Sequence, residues 1–455
     1  MTAMPPPLKR LAGLLTLALA CVAGALPAAP RAGAAAIAPA DSLTVAQCVA
    51  LARAAAPDVR ARVADAQAAR LDSSAAARNG RPAYSLFGGA LVAPRGYYDP
   101  VVTDLGQYTL KLGLELPLLD AGSRRRDRQQ AALAAAGAVV ELERATRDAG
   151  LRAAEVALGS LRQRELEGSD RETLAWLDRL SALIESGVRS GARERADAVR
   201  VRIERDAVES ELLSIGEVRD VLARELAELT GRGDAGPALL AEPDAAQDTP
   251  PATADSLDLL ARGERSPEVS AARFAEAGER LALEQARRRS AVRVDFALDA
   301  GLAGADLTRA VPLEFALTHP GATFADRLRQ DLGASLSLQF RRPLLDAAAA
   351  SAVAAREAAL AAAASRTAGA LAQRRRGTLD LLGRWRAAAG RLELARAALG
   401  RAEEHLLRLR SLYAGGASSL LELLDARRQV DDARARLANA RFELRVAHWE
   451  GELQR

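Results

Sequence analysis

The chain has 455 residues, 49% of them hydrophobic, with a formal net charge of +4 and two cysteines. That hydrophobic share would fill two or three globular cores, but an aromatic content of 3% argues instead for long thin helices packed side by side. Lys9, Arg10 and Arg31 supply most of the charge, and without them the balance falls to about +1, which excludes a strongly basic nucleic-acid binder.

Residues 1–40 read as an export signal and linker: Lys9 and Arg10 precede an apolar run over 11–26, and small residues with Ala-x-Ala sites follow. Cys21 lies in that run, in a Leu-Ala-Leu-Ala-Cys context that loosely resembles an acylation site. Cys48 then has no second cysteine to pair with in the mature chain. No later apolar run reaches the roughly eighteen residues of a membrane helix, which leaves a soluble protein or a β-barrel.

Apolar positions over 42–78 fall at helical spacing and break at Pro57. A first strand is predicted at 84–91, followed by the turn-rich Pro94-Arg-Gly-Tyr-Tyr-Asp-Pro100. The second, at 108–116, is clearer: Tyr108, Leu110, Leu112, Leu114 and Leu116 alternate with Thr109, Lys111, Gly113 and Glu115. Pro117 is expected to end it, and Asp120 to cap a helix that runs to about residue 185, about 100 Å at the usual rise. Ser186-Gly-Val-Arg-Ser-Gly191 is a turn, and a second helix over about 193–230 heads back.

Residues 232–254 form a linker, and the plan then repeats. A helical stretch over 255–289 breaks at Ser266-Pro267. The third strand, 292–302, places Val292, Val294, Phe296, Leu298, Ala300 and Leu302 on one face, and a long loop over 303–330 leads to the fourth at 332–340. Pro343 marks the same strand-to-helix junction as Pro117. A helix from 344 to about 412 reverses at Gly415-Gly416 and returns over 418–454. Two tandem units result, 41–231 and 255–455, with helical hairpins at 120–230 and 344–454. Nine of the twelve Tyr and Phe residues fall between Tyr84 and Tyr108 or between Phe296 and Phe340, where the strands are.

Four strands cannot close a barrel, so oligomerisation has to supply the rest. One strand face is Leu, Val and Phe, and the other carries Lys111, Glu115, Arg293, Asp295, Asp299 and Gln339, the pattern of a lipid-facing barrel. Gly191 and Gly416 suit a tight helix reversal. A carboxylate follows six residues after each, Asp197 and Glu422, and Asp425 shares a helix face with Glu422. Around a pore such residues would form rings of like charge that favour cations; on a free helix they are a solvated face. The three histidines, His319, His405 and His448, show no metal-ligand spacing and adjoin no nucleophile, so neither enzyme, cofactor nor metal is expected.

Three stretches carry a resemblance: Leu43-Thr-Val-Ala-Gln-Cys-Val-Ala-Leu, the Leu-Pro-Leu-Leu-Asp-Ala-Gly-Ser-Arg run around Pro117, and Tyr413-Ala-Gly-Gly416-Ala-Ser-Ser-Leu-Leu-Glu422-Leu-Leu-Asp425-Ala. Gly191-Ala-Arg-Glu-Arg-Ala-Asp197-Ala-Val is a fainter copy of the last. In this order and at these intervals the chain resembles the TolC family of outer-membrane efflux proteins from residue 42 to its end. The resemblance implies a mostly α-helical homotrimer with a small membrane β portion: a helical tunnel continuous with a twelve-stranded barrel, four strands per chain. It further implies an outer-membrane location in a Gram-negative bacterium, contact with lipid, and docking of a periplasmic adaptor and an inner-membrane pump. Asp197, Tyr413, Glu422 and Asp425 would form a periplasmic gate, and Gly191, Gly416 and Ser418 the hairpin tips that meet the adaptor. Ser418 departs from relatives that carry arginine there, and Ala348 stands where the first unit has Gly122. The other reading is a periplasmic adaptor or structural coiled-coil protein, which would have one helical hairpin flanked by small β domains.

Overall fold

The computed structural model describes residues 43–78, 82–91, 107–120, 122–191, 193–232, 240, 253–305, 311, 313–342 and 348–454. The export-signal region with Cys21, the turn at 94–100, nearly all of the linker and the Pro343 junction lie outside them.

Helix α1 (Val45–Ala55) opens with a capping box in which Thr44 Oγ1 accepts from Gln47 N and Gln47 Oε1 accepts from Thr44 N. Pro57, with no amide hydrogen to contribute, starts α2 (Pro57–Arg78). Strands β1 (Ala83–Leu91) and β2 (Gln107–Leu119) form a hairpin, and α3 (Ser123–Arg189) and α4 (Arg195–Leu229) a helical one. The second half runs through α5 (Thr253–Gly263), α6 (Pro267–Arg287), β3 (Arg293–Ala305), α7 (Leu313–Thr318), α8 (Phe324–Asp331), β4 (Leu332–Arg341), α9 (Ala349–Ala414) and α10 (Leu420–Glu452). Helix lengths match between the halves: 11 and 22 residues against 11 and 21, then 67 against 66, then 35 against 33.

Pro117 does not end its strand, because β2 continues to Leu119. Pro117 faces Asp295 and Leu119 faces Val294, so Leu118 is an extra residue in a bulge, where a missing N–H breaks no ladder bond. Nor is Asp120 the residue that caps α3. Gly122 takes that place at φ +77°, while the Asp120 carboxylate accepts from Gly122 N and Arg124 N, each at 2.9 Å. The Arg124 guanidinium bonds Asp120 and reaches back to the Pro117 carbonyl at 2.7 Å, tying strand end to helix start. Ala348, the counterpart of Gly122, is right-handed at φ −86°.

The expected loop over 303–330 is partly structured. Strand β3 extends to Ala305, and α8 begins with a Thr323–Asp326 capping box. The Tyr108 hydroxyl donates to Asp331, Arg327 bonds the same carboxylate at 3.3 Å, and its guanidinium lies 5.4 Å over the Tyr108 ring. Helices of six and eight residues are too short to show a periodicity in sequence.

The four strands pair antiparallel in the order β1-β2-β3-β4. Register sorts the faces cleanly: Tyr84, Leu114, Leu298 and Leu336 stand in one cross-strand row and Leu86, Leu112, Ala300 and Ala334 in the next. Ser85, Gly113, Asp299 and Ser335 make a row on the other face. Leu112 is 55% exposed and Leu336 70%, so this chain alone leaves the apolar face uncovered. Among the described residues, β1 and β4 each have one free edge.

The helices bury thin cores. Val45, Cys48 and Val49 pack against Ala154, Ala157, Leu158 and Leu226, and Leu381, Trp385 and Leu392 against Leu437 and Leu444. Small residues at these contacts let helix axes approach closely. Burial pushes the Cys48 thiol up to about 11, which makes it an inert core residue. In the runs Arg124–Arg126 and Arg374–Arg376, Arg126 is buried and Arg374 is half-buried. Among the described residues, no helix is long and apolar enough to cross a membrane.

Candidate functional site: the hairpin tips

Both long helices end on a left-handed glycine, as their sequence predicts. Gly191 has φ +74° and Gly416 φ +76°, values that any Cβ would strain. At the second tip Ala417 N donates to Leu412 O at 2.8 Å and Gly416 N to Tyr413 O at 3.1 Å, the paired bonds of a Schellman motif. The first tip has the matching bond, Gly191 N to Val188 O at 3.1 Å.

Tyr413 lies at the centre of what holds the two tips together. Its ring packs with Leu177, Leu180 and Ile184 of α3, Val201 of α4, and Leu420, Leu423 and Leu424 of α10. The Arg193 guanidinium stacks 4.6 Å above it. Burial raises the affinity of the hydroxyl for its proton; the Asp197 charge adds to this and Arg193 opposes it. Within this chain the hydroxyl is buried and makes no hydrogen bond among the described residues. Asp197 and Tyr413 are thus neighbours in one chain without being bonded in it. Arg193 was not singled out from sequence, since nothing in spacing distinguishes it from its arginine neighbours.

The carboxylates of α10 have local partners. Ser419 caps the helix: its Oγ accepts from Glu422 N at 3.2 Å, while Glu422 Oε2 accepts from Ser419 N at 2.8 Å. These hydrogen bonds hold the Glu422 carboxyl below its ordinary range. Asp425 lies 3.7 Å from Arg428, whose guanidinium also bonds Glu204 of α4. Both carboxylates are exposed. Ser419→Ala should therefore fray the start of α10 and cost about 1 kcal/mol, seen as faster amide exchange at Leu423 and Leu424 with α9 unaffected.

A polar cluster sits about two turns above this tip, between the halves. Thr173 Oγ1 of α3 donates to Asp431 Oδ1 at 2.9 Å and accepts from Arg427, which is itself 3.1 Å from Asp431. Burial, together with the nearby Asp431 and Glu211 charges, lifts Asp170 to about 6 against the pull of Arg427. Because this carboxyl is raised in the folded chain, its ionisation opposes folding above about pH 6, and the penalty fades as pH falls from there towards 4. Asp170→Asn should remove a pH dependence on the order of 1 kcal/mol, discounted for partial exposure, from the exchange protection of residues 169–176. Protection that changes equally with pH in both proteins would contradict this.

Among the described residues, no three His, Cys, Asp or Glu side chains are grouped to hold a metal ion. No protein-family model and no curated protein matches the sequence. Solved structures do match. The outer membrane protein VceC of Vibrio cholerae superposes with a TM-score of 0.71 at 18% identity, over 90% of this chain and 96% of that one. A membrane protein from Pseudomonas aeruginosa gives 0.75 at 18%, over 90% and 93%. The open-state MtrE outer membrane channel of Neisseria gonorrhoeae gives 0.71 at 14%, over 90% and 88%. The chain has the outer-membrane channel fold. The likeness extends over 90% of the chain, in keeping with a resemblance that runs from residue 42 to its end. An outer-membrane channel fold also accounts for an exposed apolar sheet face in a chain that is otherwise helical.

Proposed function

We propose that this chain is one subunit of a homotrimeric exit duct, a twelve-stranded barrel in the outer membrane of a Gram-negative bacterium continued by a helical tunnel through the periplasm. One observation carries the reading: a four-stranded sheet with one apolar and one polar face and two free edges is joined to helices of 67 and 66 residues. Pairing β1 of one copy with β4 of the next removes both edges and wraps the Leu112–Leu336 face towards lipid. Val199, Ile203, Leu213 and Val221 are exposed on a single face of α4, and Leu379, Leu394 and Leu407 on α9, which suits helix contacts between copies. The matched halves support a tandem duplication of 41–231 in 255–455.

The duct is passive, and a periplasmic adaptor docks at the tips around Gly191, Gly416 and Ser418 to couple it to an inner-membrane pump in an efflux or type I secretion system. Asp197, Tyr413, Glu422 and Asp425 form its periplasmic gate. Three copies would bring the α10 carboxylates round one axis, and a bond from Tyr413 to a neighbouring hairpin would require its covered hydroxyl to be uncovered as the copies assemble. The adaptor or coiled-coil reading is disfavoured because two hairpins are separated by amphipathic strands.

Single cysteines placed along β1 and along β4, combined pairwise and oxidised in isolated membranes, test the arrangement. One register should give covalent dimers and trimers. Only intrachain products, or protein recovered wholly in the soluble periplasm, would contradict the trimeric barrel.

A further inference from the structure

We infer that the arginine-rich collar where the strands meet the helices binds anionic phospholipid headgroups in the leaflet on the helical side. The inference rests on the barrel reading, since it takes the apolar sheet face to meet lipid.

The antiparallel order brings the start of β1, the end of β2, the start of β3 and the end of β4 to one edge of the sheet, where α3 begins and α6 ends. Residues 117–128, 284–295 and 339–342 make that junction and hold ten arginines against four carboxylates. The whole chain has 63 lysines and arginines against 59 carboxylates, so the excess is local. At the opposite strand ends, residues 89–91, 107–109, 302–305 and 331–333 hold no arginine and one carboxylate, Asp331. An apolar band that is basic along one border only has the asymmetry expected where that border meets an anionic leaflet.

This charge is accessible. Arg124 is paired with Asp120 and Arg287 with Glu357, but Arg125, Arg288 and Arg342 are exposed and form no ion pair among the described residues. Exposed apolar side chains lie close to each in sequence: Leu118 and Leu119 ahead of α3, Val292 after α6, and Phe340, which is 71% exposed, two residues before Arg342. Phe340 ends the apolar face and Arg342 is next in its alternation, whereas Arg293 and Arg341 pair on the polar face and are left to the lumen. Arg126 and Arg288 converge over Gly122, where an added Cβ would lie 3.3 and 3.5 Å from their guanidinium nitrogens, so like charges from both halves are brought together. A nearby anion relieves that repulsion. A free phosphate would leave the neighbouring Leu, Val and Phe side chains in water, whereas a lipid covers them with its chains and offers its phosphate to the guanidiniums above.

Electron spin resonance of spin-labelled lipids, with the full chain reconstituted in dioleoyl phosphatidylcholine vesicles, tests this. Spin-labelled phosphatidylglycerol should associate with the protein about threefold or more strongly than spin-labelled phosphatidylcholine, and the ratio should fall towards one as sodium chloride is raised. Arg125→Gln combined with Arg288→Gln and Arg342→Gln should bring the ratio close to one at low salt, while Arg408→Gln, far along α9 near the tip, should leave it unchanged. Should the triple variant fail to assemble, the salt series on the unaltered protein still decides. Immobilised lipid with equal affinity for both labels, or a preference that survives high salt or the triple substitution, would overturn the inference alone. No immobilised lipid with either label would overturn it together with the barrel reading.

Discussion

Arginine in place of Leu336 or Leu112 should remove most of the protein from the outer membrane, whereas arginine at Ser337 or Thr109 should be tolerated. Adjacent positions on one strand differ in this way because side chains alternate between faces. Leu336 stands in a row with Leu298, Leu114 and Tyr84, and Leu112 with Ala300 and Leu86, while Ser337 faces Ala297 and Glu115 on the other side. A cation on the lipid face near the midplane costs roughly 2 to 4 kcal/mol per strand position, and in a trimer each substitution enters three times. On the wet face the same side chain keeps its water. Outer-membrane yield of the four variants, measured by density fractionation, reads the difference; equal yields would refute the register.

Removing the Tyr413 hydroxyl should raise resting conductance without reducing the amount of assembled protein. A buried hydroxyl with no partner costs about 1 to 3 kcal/mol, so within a single chain Tyr413→Phe should be neutral or stabilising, because the ring keeps its packing against Leu177, Leu420 and Leu424. A rise in conductance then assigns the hydroxyl a part in holding the tips closed. Unchanged conductance would leave Tyr413 as core alone. For the carboxylates the informative replacement is Glu422→Gln with Asp425→Asn, since glutamine retains the capping box with Ser419 and only the charge is lost. The double variant should lose most of its preference for cations and its block by trivalent ions. If both survive, these residues cap and solvate a helix and do nothing to permeation.

Helix reversals were legible because Gly191 and Gly416 are the residues that a left-handed position selects, and the strand faces because Leu and Val alternate with Lys, Asp and Ser over whole strands. Local chemistry was less so. Pro117 read as a stop because proline breaks a ladder, but a bulge at Leu118 accommodates it. Asp120 holds the start of α3 from outside the cap position, a role that depends on the turn through Gly122. Ser419 and Glu422 carry the sequence signature of a capping box, yet the adjacent Ser418 drew attention through its place in the resemblance. Arg193 over Tyr413, and Arg374 half-buried within an arginine run, are consequences of packing between segments far apart in sequence. No periodicity in one segment can announce them.

Single-channel recording of the purified protein in a planar lipid bilayer tests the central claim most directly. A trimeric duct predicts discrete, uniform conductance steps that favour cations and fall when trivalent cations are added on the side facing the tips. Folded protein that inserts without any conductance step would contradict it.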